Sequence, residues 1–378
     1  MTGSQVKAAV LHGAGDMRVE LRSIEPPAPD EVQVAIKCTG ICGSDVHYYR
    51  DYRVGNNMVK EPLVLGHESA GVVVAVGETA RGQFEVGDRV ALEVGVPCEE
   101  CEQCKAGRYN ICPDMRFRSS ARYFPHAQGT LQQRINHAAR YCHKLPSTTT
   151  FEQGALVEPL SVAIHANQRA SLQPGKTVLV LGAGTIGLLV AAIAKVNKAD
   201  LVVIADINAD RVHFAVDNGF AHKGWEVPPA YCTRLEEQLR AAKSSIQHLT
   251  DVGLPSSFDA VFECTGAQAS MQTAIFAAKS GGKVMVIGMG SPNQHIPITE
   301  VGMREVDLIG VFRYANAYPK AVELISSPCG DGPNFGSLIT HRTRGFGEID
   351  KAFELATKPV DNNNNLVLKV LIDFTDLI

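Results

Sequence analysis

The chain has 378 residues, 45% of them hydrophobic and 20% charged, with a formal net charge of −4. That length can bury the cores of about two domains, and the near-neutral balance excludes a basic footprint for nucleic acid, so a small neutral partner is expected. No apolar run approaches the roughly 18 residues needed to cross a bilayer, and Met1 to Ala8 lacks the charged-then-apolar pattern of a secretory signal, so no membrane partner and a cytoplasmic location are expected.

In chain order, the first third reads as β structure: Val6 to Leu11, the alternating Val32, Val34 and Ile36, and Gly71 to Val76 are short β-branched runs. Turn segments Pro26 to Pro29 and Glu85 to Asp88 separate them, which predicts a compact β-rich domain. From Thr177 the pattern becomes strand, glycine-rich turn, a helix carrying Ile186, Leu189, Val190 and Ile193, and a second strand, Leu201 to Ala205. This is a βαβ unit. Ala260 to Cys264, and Lys283 to Ile287 after a Gly281-Gly282 turn, extend a helix-covered parallel sheet to about residue 312. Asn362 to Asn365 predicts an exposed turn before a last strand, Leu366 to Ile372.

Gly182-Ala183-Gly184-Thr185-Ile186-Gly187 follows the strand Val178 to Leu181 and opens a helix, the context that makes a glycine pattern a dinucleotide site. Gly182 permits the tight turn, Gly184 lets backbone approach a pyrophosphate, and Gly187 allows close helix–strand packing. Asp206 ends the next strand, where a carboxylate can bind the adenosine ribose and would repel a 2′-phosphate, so NAD is favoured over NADP. Alone, Asp206 would more often be an ordinary strand-end residue.

Ten cysteines in a long chain point to metal more than to disulfides. Cys98, Cys101, Cys104 and Cys112 form C-x2-C-x2-C-x7-C, the donor set of a closed, tetrahedral, structural zinc. A second, dispersed set comprises Cys42, the pair His67-Glu68, and Glu158 before Pro159. Singly, these residues read as a small core thiol, a hydrogen-bonded histidine and a carboxylate at a helix start.

Five segments change that reading: Gly40-Ile41-Cys42-Gly43-Ser44-Asp45-Val46-His47-Tyr48, Leu65 to Gly71, Gly87 to Ala91, Glu158 to Val162, and Val311-Phe312-Arg313-Tyr314. In this order the chain resembles, over nearly its whole length, the zinc-dependent medium-chain dehydrogenases, and within them the sorbitol, xylitol and L-arabinitol branch. The resemblance implies an α/β protein: a GroES-like β-rich catalytic domain from residues 1–158 and 313–378, with a doubly wound, parallel-sheet Rossmann domain at 159–312 that binds NAD. It implies one catalytic and one structural zinc per chain. Cys42 and His67 would bind the catalytic ion, with Glu68 and Glu158 near it, one as ligand and the other through a water. It also implies that Arg211 lies beside the adenosine, and that Ile186, Ile287, Gly288, Met289, Val311, Phe312 and Arg313 line the rest of the cofactor. Tyr48, Phe117, Ser120, Arg313 and Tyr314 would surround the substrate. Relatives commonly form dimers or tetramers, so a homo-oligomer is expected.

The function so implied is oxidation of a secondary hydroxyl of a polyol to a ketone, with hydride passing to NAD. Zinc would act as a Lewis acid on the hydroxyl. Ser44 and His47, two and five residues past Cys42, have the spacing of a proton relay in alcohol-oxidising relatives; their bland reading is an N-cap serine and an exposed histidine. The alternatives are the same chemistry on another secondary alcohol or a specialised metabolite, and a family member that binds NAD without catalysis. Asn57 stands where the sorbitol and xylitol enzymes usually carry phenylalanine and the arabinitol enzymes methionine, and the loop Arg118 to Gln132 is longer than in the animal sorbitol enzymes.

Overall fold

The computed structural model describes residues 4–228, 234–327 and 332–375, so Cys232 and Cys329 lie outside the described residues. The chain divides into two compact units, one of Met1–Glu158, Ala315–Pro328 and Phe335–Ile378, the other of Pro159–Tyr314 and Cys329–Asn334.

The first unit is organised around the strand Glu31–Gly40, buried at nine of its ten positions. Such a strand is a continuous apolar run rather than an alternation, because structure covers both of its faces. It pairs antiparallel with Glu68–Val76, with Arg134–Ala138 and, at its end, with Lys369–Asp373. Gly40 therefore faces Glu68 on one side and Leu371 on the other. A β-carbon at Gly40 would lie 2.3 Å from Glu68 Oε2, so only glycine leaves room there for that carboxylate. The sheet register thus brings residues from three distant parts of the chain to one point.

The second unit is a six-stranded parallel sheet in the order Lys223–Glu226, Leu201–Asp206, Thr177–Leu181, Phe258–Glu263, Ala278–Val286, Asp307–Gly310. Leu179, Val203, Trp225, Val261, Ile275 and Val284 belong to its buried core. The order reverses between Thr177–Leu181 and Phe258–Glu263, and ligands of such sheets bind outside the strand ends at that reversal. Gly182, Asp206 and Cys264 occupy those ends.

Two local expectations shift. Gly281-Gly282 is not a turn between elements but lies within the strand Ala278–Val286, where the register slips against Phe258 and Ala260. The final strand is Lys369–Asp373, because Asp361 Oδ1 first accepts bonds from the backbone N–H of Asn363 and of Asn365, both 2.8 Å, fixing the turn.

Candidate catalytic metal centre and cofactor cavity

Cys42 is the N-cap of the helix Gly43–Asp51, and His67 precedes the strand Glu68–Val76 after a turn in which Gly66 has φ +91°. One ligand atom from each of Cys42, His67 and Glu68 lies within 4.8 Å of the others, with His67 and Glu68 buried. The fully buried Asp45 ties the segments together. Its Oδ2 accepts from Cys42 N at 3.3 Å, and its Oδ1 accepts from Ser119 Oγ at 2.6 Å and Gly66 N at 3.2 Å. His67 Nδ1 faces the same Oδ1 at 3.3 Å, within ion-pair distance but off the hydrogen-bond line. Burial opposes the Asp45 charge, yet attraction to His67 and the bonds from Ser119 and Gly66 hold its carboxyl below the usual range. For His67, burial disfavours the cation, but Asp45 and Cys42 outweigh it and raise the imidazole well above its ordinary value.

Glu68 is gripped from the other side by Lys369, whose Nζ donates to Oε1 at 2.8 Å, to Oε2 at 2.7 Å and to Ile41 O at 3.0 Å. Burial would lower the Lys369 pKa, but attraction to Glu68, Cys42 and Glu158 raises it. Glu158, the second residue of the helix Val157–Ala170, is buried, and its charge acts on Lys369, which ties it electrically to this centre. A thiol, an imidazole and a carboxylate converging in a buried pocket, with partners behind them, fit zinc held by three protein ligands.

The second cysteine set is equally compact. Sγ separations are 3.5 Å for Cys101–Cys104 and Cys98–Cys112 and 4.0 Å for Cys98–Cys104. Zn–S bonds of about 2.3 Å give a tetrahedral edge of roughly 3.8 Å, whereas a disulfide needs about 2.05 Å, so the spacing fits a metal. Bonds from the backbone of Cys101 and Glu100 lower the Cys98 thiol to about 7, while burial pushes Cys104 up to about 12. Metal binding would displace the more tightly held protons, which couples affinity to pH.

In the second unit, a cavity of about 540 Å³ is lined by Gly182, Gly184, Asp206, Arg211, Gln238 and Thr265, among others. Gly182 has φ +101°, and a β-carbon at Gly187 would lie 1.8 Å from Gly182 O, so both glycines are sterically required. At Gly184, the N-cap of the helix Thr185–Val196, the nearest atom a β-carbon would meet is Arg211 Nη1 at 3.9 Å, leaving open space at a helix N-terminus that favours phosphate. Asp206 is oriented by Ala183 N to Oδ2 at 2.7 Å and Asn208 N to Oδ1 at 3.0 Å. Among the described residues, Arg211 Nε is buried without a hydrogen-bond partner. The cavity suits the adenosine and phosphates of a dinucleotide.

Residues 28–147 match the family model of the alcohol dehydrogenase GroES-like domain, and residues 185–327 that of the zinc-binding dehydrogenases. Mouse (Mus musculus) sorbitol dehydrogenase is 40% identical over 366 residues, covering 96% of this chain and 94% of its own length. The chain belongs to the zinc-dependent medium-chain dehydrogenases. Two solved members of this fold are an L-idonate 5-dehydrogenase from Escherichia coli K-12, 28% identical with TM-score 0.84, and an E. coli CFT073 alcohol dehydrogenase complexed with NADH, 26% identical with TM-score 0.83. Each comparison covers 98% of this chain, with 99% of the L-idonate enzyme and 100% of the CFT073 enzyme covered.

As a medium-chain dehydrogenase, the chain gathers its sequence-predicted residues unevenly. Cys42, His67, Glu68 and the four cysteines form clusters, and Gly182, Gly184, Asp206 and Arg211 share one cavity. Ile186, Ile287 to Met289 and Val311 to Arg313 do not line that cavity. Tyr48 and Phe117 are buried, with the Phe117 ring edge-on to His67 at 5.5 Å and Tyr48 Oη accepting from Ala121 N at 3.0 Å. Ser120 is buried in the first unit; Arg313, over the Phe312 ring at 4.7 Å, and buried Tyr314 belong to the second. Ser44 lies inside the helix rather than at its N-cap, and among the described residues it makes no hydrogen bond to His47, whose Nδ1 instead meets Asp51 Oδ2 at 3.2 Å. Sequence reasoning assigned no role to Asp45 or Lys369. Asp45 lay inside the quoted Cys42 motif, and Lys369 was signalled by one charge within the run Val367-Leu368-Lys369-Val370-Leu371.

Proposed function

We propose that the protein oxidises a secondary hydroxyl of a linear polyol of about five or six carbons to a ketone, with NAD as the hydride acceptor. The observation that carries this reading is the buried cluster of Cys42, His67 and Glu68, whose hard carboxylate donor suits a site taking two oxygens of a vicinal diol. The full-length similarity to sorbitol dehydrogenase supports the same class of substrate.

Cys42, His67 and Glu68 would hold the catalytic zinc, which supplies Lewis acidity to a substrate hydroxyl oxygen when bound. Asp45 orients His67 through the ring nitrogen that faces it. Lys369 offsets the charge of Glu68, and Glu158 is the second carboxylate, near enough for its charge to act on Lys369. The substrate carbon gives up its hydrogen with both bonding electrons, while the hydroxyl proton leaves by Ser44 and His47. His47 is 48% exposed, so a proton passed to it can reach solvent. Tyr48 accepts from Ala121 N and keeps its own O–H to donate to a substrate oxygen. Phe117 walls the His67 side, and Ser120, buried in the same unit, supplies a polar group for a further hydroxyl. Such a site rejects plain alcohols, because its polar groups go unpaired when no substrate oxygen reaches them.

The test is NADH formation with sorbitol, xylitol, L-arabinitol, ribitol, 2-butanol and threonine at equal concentration. Activity on at least one polyol above that on 2-butanol and threonine supports the reading. Activity confined to 2-butanol or threonine moves the enzyme to another secondary alcohol, and none on any substrate favours a non-catalytic NAD-binding role. Cys38, Cys142 and Cys264 are free thiols outside both metal sets, which suits a reducing compartment, and we place the protein in the cytoplasm as a homo-oligomer.

A further inference from the structure

Glu263 ends the strand Phe258–Glu263, beside the reversal of strand order, and is 1% exposed. Its Oε1 accepts from Thr265 N at 2.8 Å, from Gly266 N at 3.0 Å and from the Thr265 hydroxyl, and its Oε2 accepts from Gly266 N at 3.0 Å. Among the described residues no cation pairs with it, so one buried carboxylate is satisfied by a single turn of its own chain. Its carbonyl oxygen also accepts from Ile287 N and Gly288 N, both at 3.0 Å, which fastens the next loop to the same residue.

The two loops fit together without side chains between them. A β-carbon would lie 2.2 Å from Gly290 N if placed at Gly266, and 2.0 Å from Gly266 N if placed at Gly288. Gly266 O further accepts from Ser291 N at 3.2 Å and Gln294 Nε2 at 2.9 Å. Thr265 lines the dinucleotide cavity, and its methyl group closes on Gly182, where a β-carbon would approach it to 2.7 Å. The Glu263 carboxylate therefore sets the height of a two-loop layer, Thr265-Gly266 against Ile287 to Gly290, that continues from the cavity wall.

We propose that Glu263 is a positioning residue for the cofactor: it fixes the Thr265-Gly266 turn and, through it, the Ile287 to Gly290 loop against which the part of NAD beyond its adenosine binds. The role rests on the NAD reading above. Glu263→Ala leaves the N–H groups of Thr265 and Gly266 unmatched. Glu263→Gln keeps an acceptor at the Oε1 position and turns an NH₂ donor toward Gly266 N, so it relaxes the turn without abolishing it.

The experiment is calorimetric titration of the zinc-loaded wild type, Glu263→Gln and Glu263→Ala with NADH, alongside steady-state kinetics, zinc content and thermal midpoints. Glu263→Ala raises the NADH dissociation constant and the KM for NAD about tenfold or more, and Glu263→Gln raises them by a smaller factor. In Glu263→Gln the KM for the alcohol, the zinc content and the melting midpoint stay at wild-type values, a split that general loosening of the fold would not give. Wild-type NADH affinity in Glu263→Gln and in any folded Glu263→Ala, or alcohol and NAD KM values rising together, overturns the proposal. A wild-type protein that binds no NADH at all overturns the cofactor reading first, and the positioning role with it.

Discussion

Replacing Lys369 by methionine keeps most of its length and apolar stem while removing the ammonium that holds Glu68. In the structure both side chains are at most 4% exposed, and the ammonium donates to both carboxylate oxygens and to Ile41 O. Removing one partner of a buried, hydrogen-bonded ion pair costs about 3–5 kcal/mol, because the remaining charge is left uncompensated. In a unit of this size each kcal/mol moves the midpoint by about 2–4 °C, so Lys369→Met lowers the melting temperature of that unit by roughly 6–20 °C. The assay is scanning calorimetry of Lys369→Met, Glu68→Gln and the double variant. The double variant, with neither charge, is less destabilised than Lys369→Met alone, so it loses less than the sum of the single changes, by more than about 0.5 kcal/mol. A loss below about 1 kcal/mol in Lys369→Met, with additive single changes, would refute the idea that Lys369 compensates Glu68.

Elemental analysis of protein purified without chelator gives about two zinc ions per chain; Cys101→Ser impairs folding, whereas Glu158→Gln lowers turnover more than stability, as paired melting and rate measurements show. NAD is used with higher kcat/KM than NADP, and Asp206→Ser narrows the gap, because the carboxylate fixed by Ala183 N and Asn208 N meets the 2′-phosphate; equal efficiencies in the wild type contradict this even with Arg211 beside the same cavity. Burial would raise the Asp259 pKa, but bonds from Thr177, Lys279 and Lys176 depress it, so its contribution to stability is present above about pH 4 and lost as pH falls through the folded value. Asp259→Asn therefore destabilises the second unit at neutral pH and less so in acid, read from denaturation midpoints across pH.

What the sequence makes legible follows the distance over which its information acts. The Gly182 to Gly187 turn, the strand before it and Asp206 after it lie within 30 residues, and their periodicity alone signals the βαβ unit. The four cysteines fall within 15 residues, so their spacing already implies a closed site. Asp45 becomes a hub only when folding brings Gly66 and Ser119 to it, from 21 and 74 residues away. Lys369 finds Glu68 across 301 residues, through the register that sets Gly40 between two strands. Glu263 is different: its partners are two and three residues on, but a carboxylate capping its own turn leaves no periodic signal, and its packing against Gly288 and Gly290 is a tertiary fact. Ser44 and His47 carry a suggestive spacing, yet the helix gives His47 to Asp51, since i, i+4 pairs share a helix face.

The central claim is that the Cys42, His67 and Glu68 cluster holds the zinc that activates the alcohol, separately from the four-cysteine site. Zinc content and polyol-dependent NADH formation, measured on the same preparations of wild type and Cys42→Ala, test it most directly. The account predicts that the variant loses about one of two zinc ions, keeps a folded melting transition and no longer forms NADH. A variant that retains wild-type activity, or that loses activity while keeping both ions, would contradict it.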